Sequence, residues 1–193
     1  MCGVAIDMSN AYLKAIRTVF PKLDVVHDPY HVVSLVNKAI DDVRKNLYHS
    51  LSAEDKKAIK GSRYLLLKGL EKLSPNGIHR LMILMETNKP LYQAYLLKED
   101  LRRFWDFSNA PKAAAFLADW LKEALATNLK PFIKLASTLI NHLNGLLAYF
   151  NHRISTGPIE GLNNKIKVLK RQTYGYRDMH FFILRIMFIH EST

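Results

Sequence analysis

The sequence predicts an α/β chain that is mostly helix, with a strand–helix–strand unit at the amino end, a long all-helical block and two closing helices. Three observations carry this expectation. Two short apolar, β-branched runs flank a helix-period segment within the first 28 residues. From about residue 50 to residue 150 only helical spacing and helix-start signals occur. The chain has 193 residues and is 49% hydrophobic, enough for a packed core.

Each element has its own signal. GVAID is a short apolar run, NAYLKAIRTVF has helical spacing, and LDVVHD is a β-branched run after Pro21. Strand, helix, strand in that order is the pattern of a βαβ unit with a parallel sheet. In HVVSLVNKAIDDVRKNLY the residues Val32, Val33, Leu35, Val36, Ala39, Ile40, Val43 and Leu47 form one stripe, which predicts a long packed helix. Beyond it, Ser52 with Asp55 reads as a capping box. Ser74-Pro75 and Ala110-Pro111 read as helix starts, and Pro90 and Pro131 fit the first turns of two more helices. Trp105 and Trp120 sit among Leu, Phe and Ala and are expected in the core. After Gly157-Pro158 a helix runs to about Arg171, followed by the turn-prone YGYRD. The apolar tail FFILRIMFI is expected to be a buried closing helix, because it is too short to span a bilayer. The chain shows no internal repeat and no low-complexity segment.

Charge narrows the function classes. Lys and Arg number 28 against 17 Asp and Glu, a formal charge of +11, which favours a polyanionic partner, nucleic acid ahead of an acidic membrane surface. No apolar run approaches the roughly 20 residues a spanning helix needs, and no leader pattern opens the chain, so a cytoplasmic, nucleoid-associated location and no membrane partner are expected. One cysteine, Cys2, excludes an internal disulfide, and its position gives no sign of a placed nucleophile. Between 151 and 177 the cations Arg153, Lys165, Lys167, Lys170, Arg171 and Arg177 face a single acid, Glu160.

That acid is the most informative residue in the strip. On a wheel of 100° per residue Ile159, Leu162, Ile166 and Leu169 share one stripe, while Glu160, Asn164, Lys167 and Arg171 share another. A carboxylate in line with an amide and two cations can hold a divalent metal while its neighbours grip backbone phosphates. Spacing alone fits better a first-turn acid favoured by the helix dipole and its neighbours Asn164 and Lys167. Two more carboxylates bear on the choice: Asp7 closes the first strand and Asp28 the second, at the carboxyl ends where parallel sheets commonly carry their sites. His27 and His31 have the spacing of a zinc pair. Pro29 and the change from strand to helix between them argue against it, since the pair needs one continuous helix.

The succession VAIDMSNAY, DVVHDPYHVV, a helical block and STGPIEGLNNKIKVLKRQTYGYRD resembles the C-terminal part of DDE transposases of bacterial insertion sequences, of the ISL3 family, over essentially the whole chain. The resemblance implies an α/β fragment of a ribonuclease-H-like fold with a large all-α insertion. Residues 1–48 would be the second part of the core, 49–150 the insertion domain and 151–193 the C-terminal helices of the core. Asp7 matches the second catalytic acid and Glu160 the third, both as ligands of two Mg²⁺ (or Mn²⁺) ions. Asp28 and His31 match supporting residues. The implied reaction is cleavage and transfer of DNA strands at phosphodiesters, on transposon ends and target DNA, by a homo-oligomer. Arg153, Asn164, Lys167, Lys170, Arg171 and Arg177 are the expected DNA-binding residues. The family's first acid and first three strands should precede Asp7 by many tens of residues. The chain by itself is therefore expected to be inactive, with metal binding weak or absent. Losing half the sheet would also leave an exposed strand edge that invites self-association. The alternative function is a non-catalytic DNA-binding or interaction module, which needs the cations but not the acids.

Overall fold

The computed structural model describes residues 3–51, 56–57 and 59–191. Cys2 and the Ser52–Asp55 capping box lie outside them. The chain divides into two compact units, residues 1–154 and residues 155–193. Each is described by itself.

In the first unit the strands are β1 (Gly3–Ile6) and β2 (Asp24–His27), joined through α1 (Asn10–Val19). They pair in parallel, Gly3 with Asp24 through Ile6 with His27, as the strand–helix–strand reading requires. The backbone N–H of Asp28 donates to the carbonyl of Ile6 at 3.1 Å and extends the ladder to the strand ends. β2 is the better covered strand, with Val26 and His27 buried, whereas all four residues of β1 are half-buried and α1 buries none.

The cover on β2 is α8 (Leu143–His152), and small residues set how closely it approaches. A Cβ on Gly145 would collide with the His27 ring. Seven residues along α8, Nε2 of His152 lies 2.8 Å from Oδ2 of Asp24. The His152 ring also lies 2.9 Å from where a Cβ on Gly3 would be. Seven helical residues rise about 10 Å, as do three strand residues, so α8 runs antiparallel along the whole of β2.

The remaining core is helical. α2 (Pro29–Ser50) buries Val32, Val36, Ala39, Ile40 and Val43 against α5 (Lys89–Arg102) and α7 (Lys130–Asn141). Between them lie α3 (Arg63–Leu67), α4 (Pro75–Thr87) and α6 (Ala110–Ala126). Pro90 and Pro131 occupy first turns, and Ser74 caps α4 by accepting from Gly77 N–H at 3.2 Å. α6 starts at Ala110, but its cap is Asn109, whose Oδ1 accepts from Lys112 N–H at 3.1 Å. Trp120 is buried and donates to the carbonyl of Leu97 at 2.8 Å. Trp105 is half-buried in an aromatic cluster with Phe104, Tyr149 and Phe150.

The second unit is a helix pair, α9 (Gly157–Gln172) and α10 (Met179–Glu191). Tyr174 and Gly175, at φ 51° and 107°, turn the chain after α9 in the left-handed region that Gly adopts freely. Buried cover for the apolar tail was the sequence expectation, and α10 departs from it. Met179, Phe181, Leu184, Met187 and Phe188 are each more than half exposed. The helix is apolar on every side, and α9 alone is too narrow to cover it. Among the described residues no helix is long and apolar enough to cross a membrane.

Candidate catalytic and nucleic-acid-binding sites

Parallel pairing sets Asp7 and Asp28 side by side just past the carboxyl ends of β1 and β2. Asp7 is half-buried, and its Oδ1 accepts from Ser9 N–H at 2.9 Å, which fixes the carboxylate against the start of α1. Asp28 is buried at 2% exposure and caps α2, its Oδ1 accepting from Tyr30 N–H at 2.7 Å with Pro29 in the first turn. That bond fixes the carboxylate against the first turn of α2. His31 N–H donates to the Asp28 carbonyl at 3.1 Å, and its ring meets Tyr30 edge to face.

His27 does not pair with His31. Its Nε2 lies 3.0 Å from Nδ1 of His142, the residue that precedes α8, with the two rings edge to face at 84°. Burial, then the neighbouring His142, lowers His27 to about 4, so the ring is neutral at physiological pH. The backbone of Asp7 lies against this ring, although Nδ1 completes no hydrogen bond of good geometry. His142 and Gly145 thus meet His27 at the carboxyl end of β2, beside the acids, while His152 meets Asp24 and Gly3 at the amino ends of the strands. Sequence reasoning missed all three, because they lie more than a hundred residues from their partners.

In the second unit Glu160 is half-buried in the first turn of α9, and its Oε1 accepts from the Thr156 hydroxyl at 3.2 Å. Asn164, Lys165, Lys167, Lys170 and Arg171 are exposed along the same helix, and Arg177 is exposed in the turn before α10. Arg153 belongs to the first unit. It ends α8 in the left-handed conformation, donates from Nη2 to the Phe107 carbonyl at 2.9 Å and lies over the Tyr149 and Phe150 rings. Part of its charge is therefore committed to closing the helical core.

Asp7 and Glu160 offer hard oxygen donors, the ligand type that Mg²⁺ and Mn²⁺ select. Among the described residues no three His, Cys, Asp or Glu side chains come together as a ready-made metal site.

Residues 2–186 match the ISL3 family of DDE transposases. Over 187 residues the chain is 36% identical to the transposase for insertion sequence element IS1001 of Bordetella parapertussis, an alignment covering 95% of this chain and 46% of the relative. It is 30% identical over 173 residues to the transposase for IS1557 of Mycobacterium tuberculosis, covering 78% of this chain and 39% of the relative. A 70-residue stretch, 36% of the chain, is 43% identical to one fifth (20%) of a Lactococcus lactis subsp. lactis protein named an ATP-dependent protease. No solved structure matches. The chain belongs to the ISL3 transposase family, and it spans about half the length of the insertion-sequence relatives it matches.

Proposed function

We propose that the chain is the C-terminal portion of a DDE transposase, supplying the second and third acids, Asp7 and Glu160, of a catalytic centre on a ribonuclease-H-like core. In this reading residues 1–48 and 151–193 belong to that core and 49–150 are a helical insertion. The observation that carries it is the position of Asp7 at the carboxyl end of a parallel strand within a family match that covers residues 2–186.

Each side chain then has a task. Asp7 and Glu160 hold the cations, Asp7 steadied by Ser9 N–H and Glu160 by the Thr156 hydroxyl. Asp28 fixes the end of β2 to α2, which keeps the Asp7 backbone in place. Bound Mg²⁺ or Mn²⁺ supplies positive charge for the leaving oxygen and makes water or a 3′-hydroxyl more acidic. Asn164, Lys167 and Arg171 orient the DNA backbone from the exposed face of α9, and Lys170, Arg177 and the exposed part of Arg153 add phosphate contacts. The transposon ends, the target DNA and a second copy of the transposase are the partners of the chain.

The test uses a transposase that carries all three acids. Glu160→Gln should abolish Mg²⁺-dependent strand cleavage, a loss of at least three orders of magnitude, while duplex binding in a gel-shift assay stays within about twofold. Retained cleavage would remove Glu160 from the centre. A second reading rests on the exposed cations of α9, which can hold DNA without any acid: a non-catalytic DNA-binding module. It predicts that Asp7→Asn and Glu160→Gln change nothing measurable.

A further inference from the structure

A cavity of about 410 Å³ opens between α1, β2 and the amino end of α8, within the first unit and on residues that the proposed catalytic role does not use. Its polar lining comes from three elements: Arg17 near the end of α1, His27 on β2, and Asn141, His142 and Asn144 where α7 passes into α8. Arg17, Asn141 and Asn144 are exposed and can move onto a ligand. The first intrahelical bond of α8 is Leu146 N–H to the His142 carbonyl at 3.1 Å, so the preceding amides, including those of the lining residues Asn144 and Gly145, point out of the helix end. That end carries partial positive charge, and Arg17 adds a full one. The one acid of the lining, Asp24, is held by Nε2 of His152 at 2.8 Å. Leu23, Val25 and Ala148 supply apolar lining.

We propose that this cavity binds a phosphomonoester of mononucleotide size, its phosphate between Arg17 and the first turn of α8 and its organic body against Leu23, Val25 and Ala148. The volume falls in the range of about 300–1,000 Å³ typical of small-molecule sites and is several times what a bare oxyanion fills. Two amides, a guanidinium and helix-end N–H groups supply the donors, with the Asp24 carboxylate turned to His152. His142 is lowered first by burial and then by the charge of Arg17, so the imidazoles bring hydrogen-bonding capacity rather than fixed charge. The same chemistry could come from a free nucleotide or from the 5′-phosphorylated end of a DNA strand.

The histidine ring signals of the 193-residue chain provide the readout, with His142 assigned from His142→Gln. Titration with AMP should move the His142 ring resonances saturably, and inorganic phosphate should do so at least tenfold more weakly. Arg17→Gln, at an exposed position, should weaken AMP binding at least tenfold without altering the circular dichroism spectrum. Ala148→Leu, which fills the apolar side, should remove AMP binding and keep that of inorganic phosphate. A 5′-phosphorylated oligonucleotide that displaces AMP assigns the ligand to a DNA end; one that leaves AMP in place assigns it to a free nucleotide, and either result retains the site. Absence of a saturable His142 shift with AMP, or an unchanged titration in Arg17→Gln, overturns the proposal.

Discussion

A β-carbon at position 145 would meet the edge of the buried His27 ring, which is tied to His142 Nδ1 at 3.0 Å. Gly145→Ala should therefore cost about 1–3 kcal/mol, the usual penalty for overpacking a filled site, measurable as a lower urea midpoint at unchanged slope. His27 also sets a pH dependence. Burial and His142 lower it from 6.5 to about 4, so above pH 6.5 neither state carries the proton. Between about 6.5 and 4 the unfolded chain takes the proton while the folded chain resists it. Stability should fall as pH drops through that window, by at most about 1.4 kcal/mol per pH unit for one such group, and His27→Gln should flatten the slope. None of this was legible beforehand. The sequence shows His27 beside His31, and only folding reveals that its partner is His142.

Among the elements, α5 and α3 are tied by a buried cation. Lys98 is 1% exposed and donates from Nζ to the carbonyls of Leu66 and Lys68, both at 2.7 Å, beside the Glu99 carboxylate and over the Tyr95 ring. Burial lowers its pKa while Glu99 opposes the shift, and the carbonyls it satisfies close the end of α3. Lys98→Met keeps most of the volume but strands those acceptors, and thermal unfolding should register a loss of about 1–3 kcal/mol. On α9 the exposed cations act through phosphates. Lys167→Ala with Arg171→Ala should reduce the slope of log affinity against log salt for duplex DNA by about 0.9 for each phosphate no longer neutralised. An unchanged slope would place the DNA elsewhere. The elements themselves were readable because their signals are local: β-branched runs, Pro in first turns, one apolar stripe on α2. The exposure of α10 was not, since apolar composition says that a helix seeks cover and not where that cover comes from. Arg153 reads as one more cation in the strip, and only its left-handed backbone and its bond to Phe107 show its part in closing α8.

For the molecule as a whole, two apolar surfaces and one open strand edge lie exposed among the described residues. Tyr12, Val19 and Phe20 are exposed on and just after α1, the outer edge of β1 has no partner strand, and α10 is apolar all round. Such surfaces drive association, so light scattering should give a mass above 22.2 kDa that falls on dilution; a concentration-independent monomer would count against it. The family match and the carboxylates at the strand ends were visible in the motifs, because they sit in contiguous stretches. The strand that carries Asp7 is four residues long, has one neighbour and lies beside a connecting helix that buries nothing. Cooperative protection reaches such a segment last. In a deuterium-exchange experiment the amides of β1 should turn over orders of magnitude faster than those of α5 to α8. A proposed catalytic acid on the most readily opened strand has a practical meaning: whatever completes that sheet edge would slow the exchange of β1 and order Asp7 in the same event.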